Sequence, residues 1–320
     1  MINGRSAVGS WQLTTFGESH GAAVGGVIEG CPARLKIDRD LIAADLRRRA
    51  TGKTSSESQR RESDEVEFLS GILDDVTLGT PIAFIVRNSD ARPEDYEALK
   101  DTFRPSHADY TYQAKYGIRD WRGGGRASAR TMLPYVVAGA IAKQILAMQG
   151  IKVSAEVLSI GGETDPAKIE DLLEQCRLAG DSVGGVVHGS ITGLPAGLGE
   201  PIDDKFQACL AKAMFTIPAV KGFEYGDGFA MAAMRGSEAN DAFVKHADGA
   251  IHTLTNHSGG IQGGITNGEE VCFNVAFKPI PSIGRGDRHD VCALPRAAVI
   301  VEAMAALTVI NFTNPIKTSL

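Results

Sequence analysis

Two short stretches of the chain show amphipathic helical spacing. In DRDLIAADLRRRA, Asp38 suits an N-cap, and the arginines fall opposite an apolar side. That side consists of Leu41, Ile42 and Leu46. In DPAKIEDLLEQCRLAG, Asp165 caps a helix that begins at Pro166 and stops at Gly180. The apolar stripe there consists of Ile169, Leu172, Leu173 and Cys176.

Two longer stretches, TMLPYVVAGAIAKQILAMQG and LPRAAVIVEAMAALTVINF, are apolar nearly all round. A helix tolerates this only where other elements cover most of its surface, so both are predicted to be central. Strands are predicted at EVCFNVAF and VSAEVLSI, which alternate, and at the less regular PIAFIVRN and GVVHGSIT. Because helices and strands do not alternate regularly, the order predicts an α+β fold with helices layered against antiparallel sheets. No linker divides the chain, which favours a single domain over residues 1–320.

Composition narrows the classes of function. The net charge is −6 and the pI is near 5.7, which argues against general binding to nucleic acid or to anionic membranes. Five cysteines without a C-x-x-C pair suggest neither a disulfide framework nor a zinc site. The start has no apolar signal region, and Lys143 and Gln144 interrupt the most apolar stretch. A cytoplasmic protein is expected, or a plastid one if a transit peptide has been removed.

Three stretches are basic against this acidic background: RRRATGKTSSESQRR, FRPSHADYTYQAKYGIRDWRGGGRASAR and KPIPSIGRGDRHD. Arginine outnumbers lysine in each, and a guanidinium suits carboxylate and phosphate oxygens, which favours a small multivalent anion as ligand. In the triplet Arg47 to Arg49, helical geometry allows one or two side chains at most to face a common ligand. The single RGGGR, with tyrosines nearby, leaves an anion-binding or RNA-binding module open as an alternative.

The segment GESHG matches the G-x-S-x-G elbow of serine hydrolases, with Ser19 as nucleophile. An elbow requires a strand before the serine and a helix after it. Only one strand fits before Ser19, and AAVGGVIEGCPARLKI after it is predicted to be extended. A hydrolase acting through Ser19 stays a second alternative, and His20 calls for another use.

Eight segments, in order along nearly the whole chain, resemble one family. They are TTFGESHGAAVGG, QRRESDEVEFLSG, FRPSHADYTYQAKYG, RDWRGGGRASAR, AGAIAK, GLPAGLGEP, AVKGFEYGDGF and RHDVCALPRAAVIVEAM. The chain is similar to chorismate synthase, the lyase that ends the shikimate pathway and so serves aromatic amino acid biosynthesis. The resemblance implies a sandwich of buried helices between antiparallel sheets, assembled as a homotetramer.

The resemblance also implies the chemistry. The reaction is the anti-1,4-elimination of phosphate and a ring hydrogen from 5-enolpyruvylshikimate 3-phosphate, giving chorismate. Reduced FMN is required without net redox change, and either NADPH or an external reductant would reduce it. The phosphate that leaves has a second pKa near ~6, close to the ~6.5 of histidine, so an imidazolium can donate a proton to it.

Site residues follow from the matching positions. The resemblance implies catalytic roles for His20, His107, Asp290, Ser19 and Ser128. Substrate is expected to bind Arg48, Arg49, Arg126 and Arg130, with Arg39 and Arg104 as further candidates. The flavin is expected to contact Arg126, Ala127, Ser128, Pro218, Ala219, Gly263, Lys278, Pro279, Ile280, Pro281, Ser282 and Arg288. Residues around Ala219 are also candidates for a neighbouring subunit's site. No metal is expected.

Three positions depart from the family pattern. Between Ile283 and RHD only Gly284 to Asp287 intervene, where the family usually carries a loop longer by tens of residues. Ser55 stands where an arginine is typical, which puts contacts to substrate or nicotinamide near Lys53 in doubt. The segment ASART has Ala127 and Thr131 where serine and glutamate are more usual. Neither Ala127 nor Thr131 replaces a residue that is predicted to carry a proton.

Overall fold

A computed structural model of the 320-residue chain describes residues 11–50, 62–90, 93–247, 249–284 and 290–313. The helices are α1 (Arg39–Arg49), α2 (Asp109–Tyr116), α3 (Leu133–Met148), α4 (Pro166–Ala179), α5 (Phe206–Phe215), α6 (Gly236–Ala239) and α7 (Leu294–Thr313). The strands of the first half are β1 (Gln12–Phe16), β2 (Ala23–Glu29), β3 (Val66–Phe68), β4 (Ile72–Leu73), β5 (Val76–Thr77) and β6 (Ile82–Arg87). Those of the second half are β7 (Lys152–Ile160), β8 (Gly185–Thr192), β9 (Val220–Tyr225), β10 (Phe243–Lys245), β11 (Ile251–Thr253), β12 (Ile261–Gln262), β13 (Ile265–Thr266) and β14 (Val271–Phe277).

Two four-stranded antiparallel sheets enclose the long helices. The strand orders are β1-β2-β6-β3 and β7-β8-β14-β9. Helices α3 and α7 pack against each other between the sheets, α3 against β1 and β2 and α7 against β7 and β8. The predicted α+β sandwich with antiparallel sheets is therefore confirmed.

The central position of α3 and α7 follows from their sequence. Almost every residue of α7 from Leu294 to Ile310 is buried, as expected for a helix without a polar face. Ala129–Met148 and Leu294–Thr313 are long and apolar enough to cross a membrane by length and composition. However, 72% and 78% of their most apolar windows lie buried inside the protein, as in core helices of a folded domain.

The predicted helix ends and the strand faces are also observed. Asp38 and Asp165 accept backbone N–H bonds at the starts of α1 and α4, and Gly180 ends α4 with φ 71°. The inward face of β14 is Val271, Phe273, Val275 and Phe277, all buried.

The predicted apolar sides of the two amphipathic helices need correction. Leu41 is 52% exposed, so only Ile42 and Leu46 of the predicted side of α1 are buried. Leu41 is the third residue of α1 and lies on its exposed side, whereas Ile42, about 100° further round the helix, is buried. In α4 the stripe packs onto the core without any fully buried member, because this helix lies on the outside.

Candidate functional site

A cavity of about 770 Å³ opens where the turn after β1, the end of α1, the loops on either side of α2 and the start of α7 meet. Its described lining holds seven lysines and arginines against five aspartates and glutamates, although the chain as a whole is acidic. Two histidines, His20 and His107, also line it. The local charge therefore differs in sign from that of the whole protein.

The turn between β1 and β2 carries Ser19 and His20 into this cavity. Ser19 is 1% and His20 6% exposed, and the imidazole of His20 packs edge-on against Tyr96 with ring centres 4.9 Å apart. The amide of Asn88 holds the turn by donating to the carbonyls of Glu18 and Gly21 at 3.1 and 2.8 Å. Because Ser19 lies between two antiparallel strands, it does not occupy a strand-to-helix elbow.

The RGGGR segment wraps around that turn. Gly123, Gly124 and Gly125 have φ of 59°, 80° and 51°, which suits glycine and lets the backbone reverse within three residues. A Cβ on Gly123 would collide with the imidazole of His20. Arg126 donates to the carbonyl of Gly17 at 3.0 Å and to the hydroxyl of Thr15 at 2.7 Å. The segment is therefore packed into the fold, which speaks against the RNA-binding alternative.

Burial and charge also act on the carboxyl group beside this turn. Burial raises the pKa of Glu18; the charge of Arg126 opposes the shift, and that of Asp120 adds to it.

Thr131 stabilises the other end of the RGGGR segment, since its hydroxyl donates to the carbonyls of Arg126 and Ser128 at 3.2 and 2.7 Å. The threonine in place of the usual glutamate thus has a structural use here.

Arg49, Asp64 and Arg130, named here the cavity cluster, line the floor of the cavity. Asp64 accepts from Nη2 of Arg49 at 2.9 Å and from Nη1 of Arg130 at 2.8 Å, one bond to each carboxylate oxygen. All three residues are at least 93% buried. Burial alone would raise the pKa of Asp64, but the two guanidiniums outweigh it and lower the pKa below 3.8. Burial lowers the pKa of Arg49.

His107 stands on the opposite side, before α2. Its Nδ1–H donates to the carbonyl of Pro105 at 2.9 Å, and its Nε2 lies 3.0 Å from the hydroxyl of Ser282. Burial lowers the pKa of His107; the Pro105 carbonyl opposes this shift, and the charges of Arg104 and Lys278 add to it. The ligand-free arrangement therefore favours the neutral imidazole near pH 7.

Arg104 and Asp109 fix this loop. The guanidinium of Arg104 donates twice to the carboxylate of Asp109, at 2.8 and 2.9 Å, and the backbone N–H of Arg104 donates a third bond. Burial would raise the pKa of Asp109, but these bonds lower it to about 2. Arg119 reinforces the loop by donating to the carbonyls of Leu99, Lys100 and Thr102.

The first turn of α7 adds a further ion pair. Arg296 lies 2.7 Å from Asp290, and both line the cavity. Three buried guanidinium nitrogens at the cavity have no hydrogen-bond acceptor among the described residues: Nε of Arg49, Nη1 of Arg119 and Nε of Arg296. Nη1 of Arg119 lies 3.8 Å from the carboxylate of Asp109, beyond hydrogen-bonding distance. The guanidiniums that carry these donors give the cavity a cationic lining, which suits a ligand with anionic oxygens.

Most of the predicted site residues meet in this cavity. They are Ser19, His20, Arg49, Arg104, His107, Arg126, Ala127, Ser128, Arg130, Pro218, Ala219, Lys278, Ile280, Pro281, Ser282 and Asp290. Pro279 lies between two of them. Ala219, with φ of 70°, lines the cavity of its own chain. Arg288, together with Lys53, Ser55 and Gly286, falls outside the described residues.

Three predicted residues lie elsewhere. Arg39 is half exposed and pairs with Asp75 at 2.5 Å beside a separate depression next to α1. Arg48 pairs with Glu302 at 2.7 Å, away from the cavity lining. Gly263 sits in the turn between β12 and β13. The structure therefore gives these three predictions no geometric support.

Sequence reasoning missed Asp64, Arg119 and Arg296 as site residues. Arg119 stands in the second basic stretch, and Arg296 stands in LPRAAV directly after the expected catalytic segment. An arginine inside an otherwise apolar helix start was the available signal for Arg296. Asp64 carried no comparable signal, because its partners lie 15 and 66 residues away in sequence.

Comparisons with known proteins agree with one another. The family model described as chorismate synthase matches residues 11–313. Proteins named chorismate synthase from Cytophaga hutchinsonii and Christiangramia forsetii are 47% and 48% identical, covering 94% and 97% of this chain and 95% and 97% of their own. A solved structure titled "Crystal Structure of Chorismate Synthase" is similar with a TM-score of 0.79 and 31% identity, over 96% of this chain and 92% of that one. The Cytophaga alignment extends over 343 residues, more than the 320 of this chain, so that relative carries residues without a counterpart here.

Proposed function

Since the chain belongs to the chorismate synthase family, we propose that its cavity is where 5-enolpyruvylshikimate 3-phosphate loses phosphate to give chorismate. The observation that carries this proposal is the convergence of His20, His107, Asp290 and a set of arginines in one cavity. Those arginines include buried N–H groups without acceptors among the described residues. The substrate bears a phosphate and two carboxylates, which are the groups that such donors bind best.

The arginines bind and orient the substrate in this proposal. Arg49 and Arg130 present a fixed pair of guanidiniums, and Arg126 and Arg104 are held by the turns that surround His20 and His107. A charge-assisted hydrogen bond contributes roughly 1.5–3 kcal/mol, so two or three of them suffice to hold a trianion in one orientation. The seven-to-five excess of cations in the lining supports the same assignment.

His20 is the proposed acid that donates a proton to the departing phosphate. Its ring packs against Tyr96 and lies so close to Gly123 that a side chain there would collide with it, which limits its movement. Ser19 and Ser128 are proposed to relay protons, and Asp290, held by Arg296, to take up the proton that leaves the ring. Ser19 is thus assigned to proton transfer and not to an acyl intermediate.

The remaining wall of the cavity fits FMN. It includes the apolar residues Ala127, Pro218, Ala219, Ile280 and Pro281, together with polar groups such as Ser128 and Ser282. A volume near 770 Å³ falls in the range of about 300–1,000 Å³ that is usual for cofactor sites. Lys278, which donates to the carbonyl of Ser106 at 3.1 Å, would hold the anionic parts of the cofactor, and His107 would join it on taking up a proton at Nε2. Bound there, reduced FMN would supply the transient electron that lets the phosphate leave, and it would recover that electron as the hydrogen departs, without net redox change.

The experiment is an anaerobic incubation of the purified protein with reduced FMN and 5-enolpyruvylshikimate 3-phosphate. We expect release of inorganic phosphate and of chorismate, and no release with oxidised FMN. His20→Ala is expected to lower turnover while leaving the circular dichroism spectrum unchanged. Absence of phosphate release from the unmodified protein would refute the proposed function, and normal turnover of His20→Ala would remove His20 from it.

Assembly and setting follow from the family. We propose a homotetramer in the cytoplasm, with NADPH as a candidate source of electrons for the flavin. One continuous apolar core spans both sheets and the helices between them, which supports a single domain. Sedimentation of the purified protein tests the tetramer.

A further inference from the structure

Asp64 has three features that are unusual in a site built to receive an anion. It is a buried carboxylate, 5% exposed, in the lining of a cavity whose ligand is proposed to be a trianion. Its backbone φ is 49°, a left-handed conformation that aspartate adopts only at some cost. Its negative charge also repels the substrate. Because both the strained backbone and the repulsion of the substrate are unfavourable, we expect this residue to have a function that offsets them.

The hydrogen bonds of Asp64 show what it does. Its two oxygens each accept from a different arginine, Arg49 at 2.9 Å and Arg130 at 2.8 Å. Arg130 is held further by Asn88, at 2.5 Å from Nε, and by the carbonyl of Arg87 at 3.2 Å. A second buried carboxylate, Glu62, lies 3.9 Å from Nη2 of Arg130. Asp64 is the carboxylate that is hydrogen-bonded to both guanidiniums, so it offsets the repulsion between their like charges.

One donor of this group is left without an acceptor among the described residues. Nε of Arg49 is buried and has no acceptor among the described residues, although the residue is only 7% exposed. Asp64 occupies Nη2 of the same guanidinium. The side chain is therefore fixed on one edge and has an unsatisfied donor on another.

We infer that Asp64 is a positioning residue, which holds Arg49 and Arg130 at a fixed separation so that they bind the anionic substrate as one unit. The inference rests on the proposed function, because it takes that substrate as the ligand. Two oppositely signed effects follow from removing the charge of Asp64. Lost positioning weakens substrate binding, whereas lost repulsion alone would strengthen it. The direction of the change therefore separates positioning from a simple charge effect.

The test compares Asp64→Asn with Asp74→Asn in the full chain. Asp74 is exposed and has the same φ of 49°, so the control repeats the substitution and the backbone conformation outside the cavity. Asparagine tolerates left-handed conformations as well as aspartate does, so the turn is kept. The readouts are the dissociation constant of 5-enolpyruvylshikimate 3-phosphate, measured by calorimetry with oxidised FMN present, and KM in the reduced assay.

We expect Asp64→Asn to raise both constants by about 10-fold to 100-fold, and Asp74→Asn to leave them unchanged. Tighter or unchanged binding by Asp64→Asn would overturn the inference. If that variant does not fold, Asp64→Glu keeps the charge and moves the carboxylate by one methylene. It is expected to raise KM by less, and an unchanged KM there would also overturn the inference. Failure of the unmodified protein to bind the substrate would refute the proposed function instead, which distinguishes the two.

Discussion

Two ionic clusters begin at neighbouring residues of α1 and differ in how completely they are paired. Arg49 belongs to the cavity cluster with Asp64 and Arg130. Arg48 joins a second group, named here the helix cluster and formed by Asp45, Arg48, Lys143 and Glu302. In the helix cluster two cations face two carboxylates. In the cavity cluster two cations share one carboxylate by hydrogen bonds.

The helix cluster has the features of a structural group. Glu302, 5% exposed in the apolar helix α7, accepts twice from Arg48 at 2.7 Å and once from Lys143 at 3.0 Å. The backbone N–H of Ala155 donates to it as well, at 3.1 Å. Burial would raise the pKa of Glu302, but these two cations lower it. The group joins α1, α3, α7 and β7 with its carboxylate fully engaged.

The difference shows how a binding cluster can be told from a structural one. Each contains a buried carboxylate paired with two cations, and in each the cations lower the pKa of that carboxyl group. Only the cavity cluster retains a buried donor, Nε of Arg49, without an acceptor among the described residues. An arginine at a cavity with a donor to spare can take part in binding an anion, whereas a cluster whose carboxylate is fully engaged acts as a structural unit.

Breaking the helix cluster is expected to have the largest effect. Glu302→Ala leaves Arg48 and Lys143 with only Asp45 between the helices, which should lower the free energy of unfolding by about 3–5 kcal/mol. Urea denaturation measures this, with Glu174→Ala as control, because Glu174 forms an exposed pair with Arg177 at 2.7 Å. The control should leave the free energy of unfolding nearly unchanged, because solvent screens an exposed pair. Equal losses in the two variants would show that the helix cluster is not a structural group.

Exchanging the two neighbouring arginines for glutamine tests the comparison directly. Arg49→Gln is expected to lower kcat/KM about 100-fold, because it removes charge-assisted bonds to the substrate. Arg48→Gln is expected to lower the unfolding free energy and leave KM near that of the unmodified protein. Steady-state kinetics of both variants measure kcat/KM and KM, and urea denaturation measures the free energy of unfolding. A raised KM in Arg48→Gln would restore Arg48 to the substrate site and abolish the distinction between the clusters.

A smaller effect is expected where the backbone abuts His20. Gly123→Ala places a methyl group into the imidazole of His20, so kcat should fall about tenfold or more. Gly117→Ala is the matched control, since Gly117 has φ of 74° and a methyl group added there would meet no atom within 4 Å. Both variants carry the cost of a left-handed alanine, about 1–2 kcal/mol. Equal kcat values in the two would mean that the position of His20 does not matter for turnover.

Local patterns predicted most of the fold. All-round apolarity identified α3 and α7 as central, and aspartate caps fixed the starts of α1 and α4. The prediction that Leu41 is buried was wrong, because the apolar residues at the start of α1 do not reveal which of them faces the core. The period of a helix gives relative directions, and tertiary packing fixes the absolute one.

The sequence also could not show which residues of α1 face the site. Helical geometry allowed one or two of Arg47, Arg48 and Arg49 to face a ligand, and it could not say which. The choice depends on Asp64 and Glu302, which are 15 residues from Arg49 and 254 residues from Arg48. The family resemblance identified His20 and His107, which line the cavity. It also predicted Arg39 and Gly263 as site residues, and these two are not in the cavity lining. The partners of an ion pair are set by the tertiary fold, so no local sequence pattern predicts them.

The smallest expected effect concerns pH and His107, on the cavity side of the comparison. Burial lowers the pKa of His107, and the excess positive charge of the cavity adds to this through Arg104 and Lys278. The folded protein therefore favours the neutral ring, while the unfolded chain takes up a proton as pH falls through about 6.5. Stability that is fully present above pH 6.5 is lost as pH falls toward the lowered pKa. Urea denaturation of the ligand-free protein and of His107→Asn between pH 8 and pH 5 should give profiles that diverge below about 6.5, with the unmodified protein losing more. Parallel profiles would mean that neither burial nor the cations of the cavity lower the pKa of His107 in the folded protein.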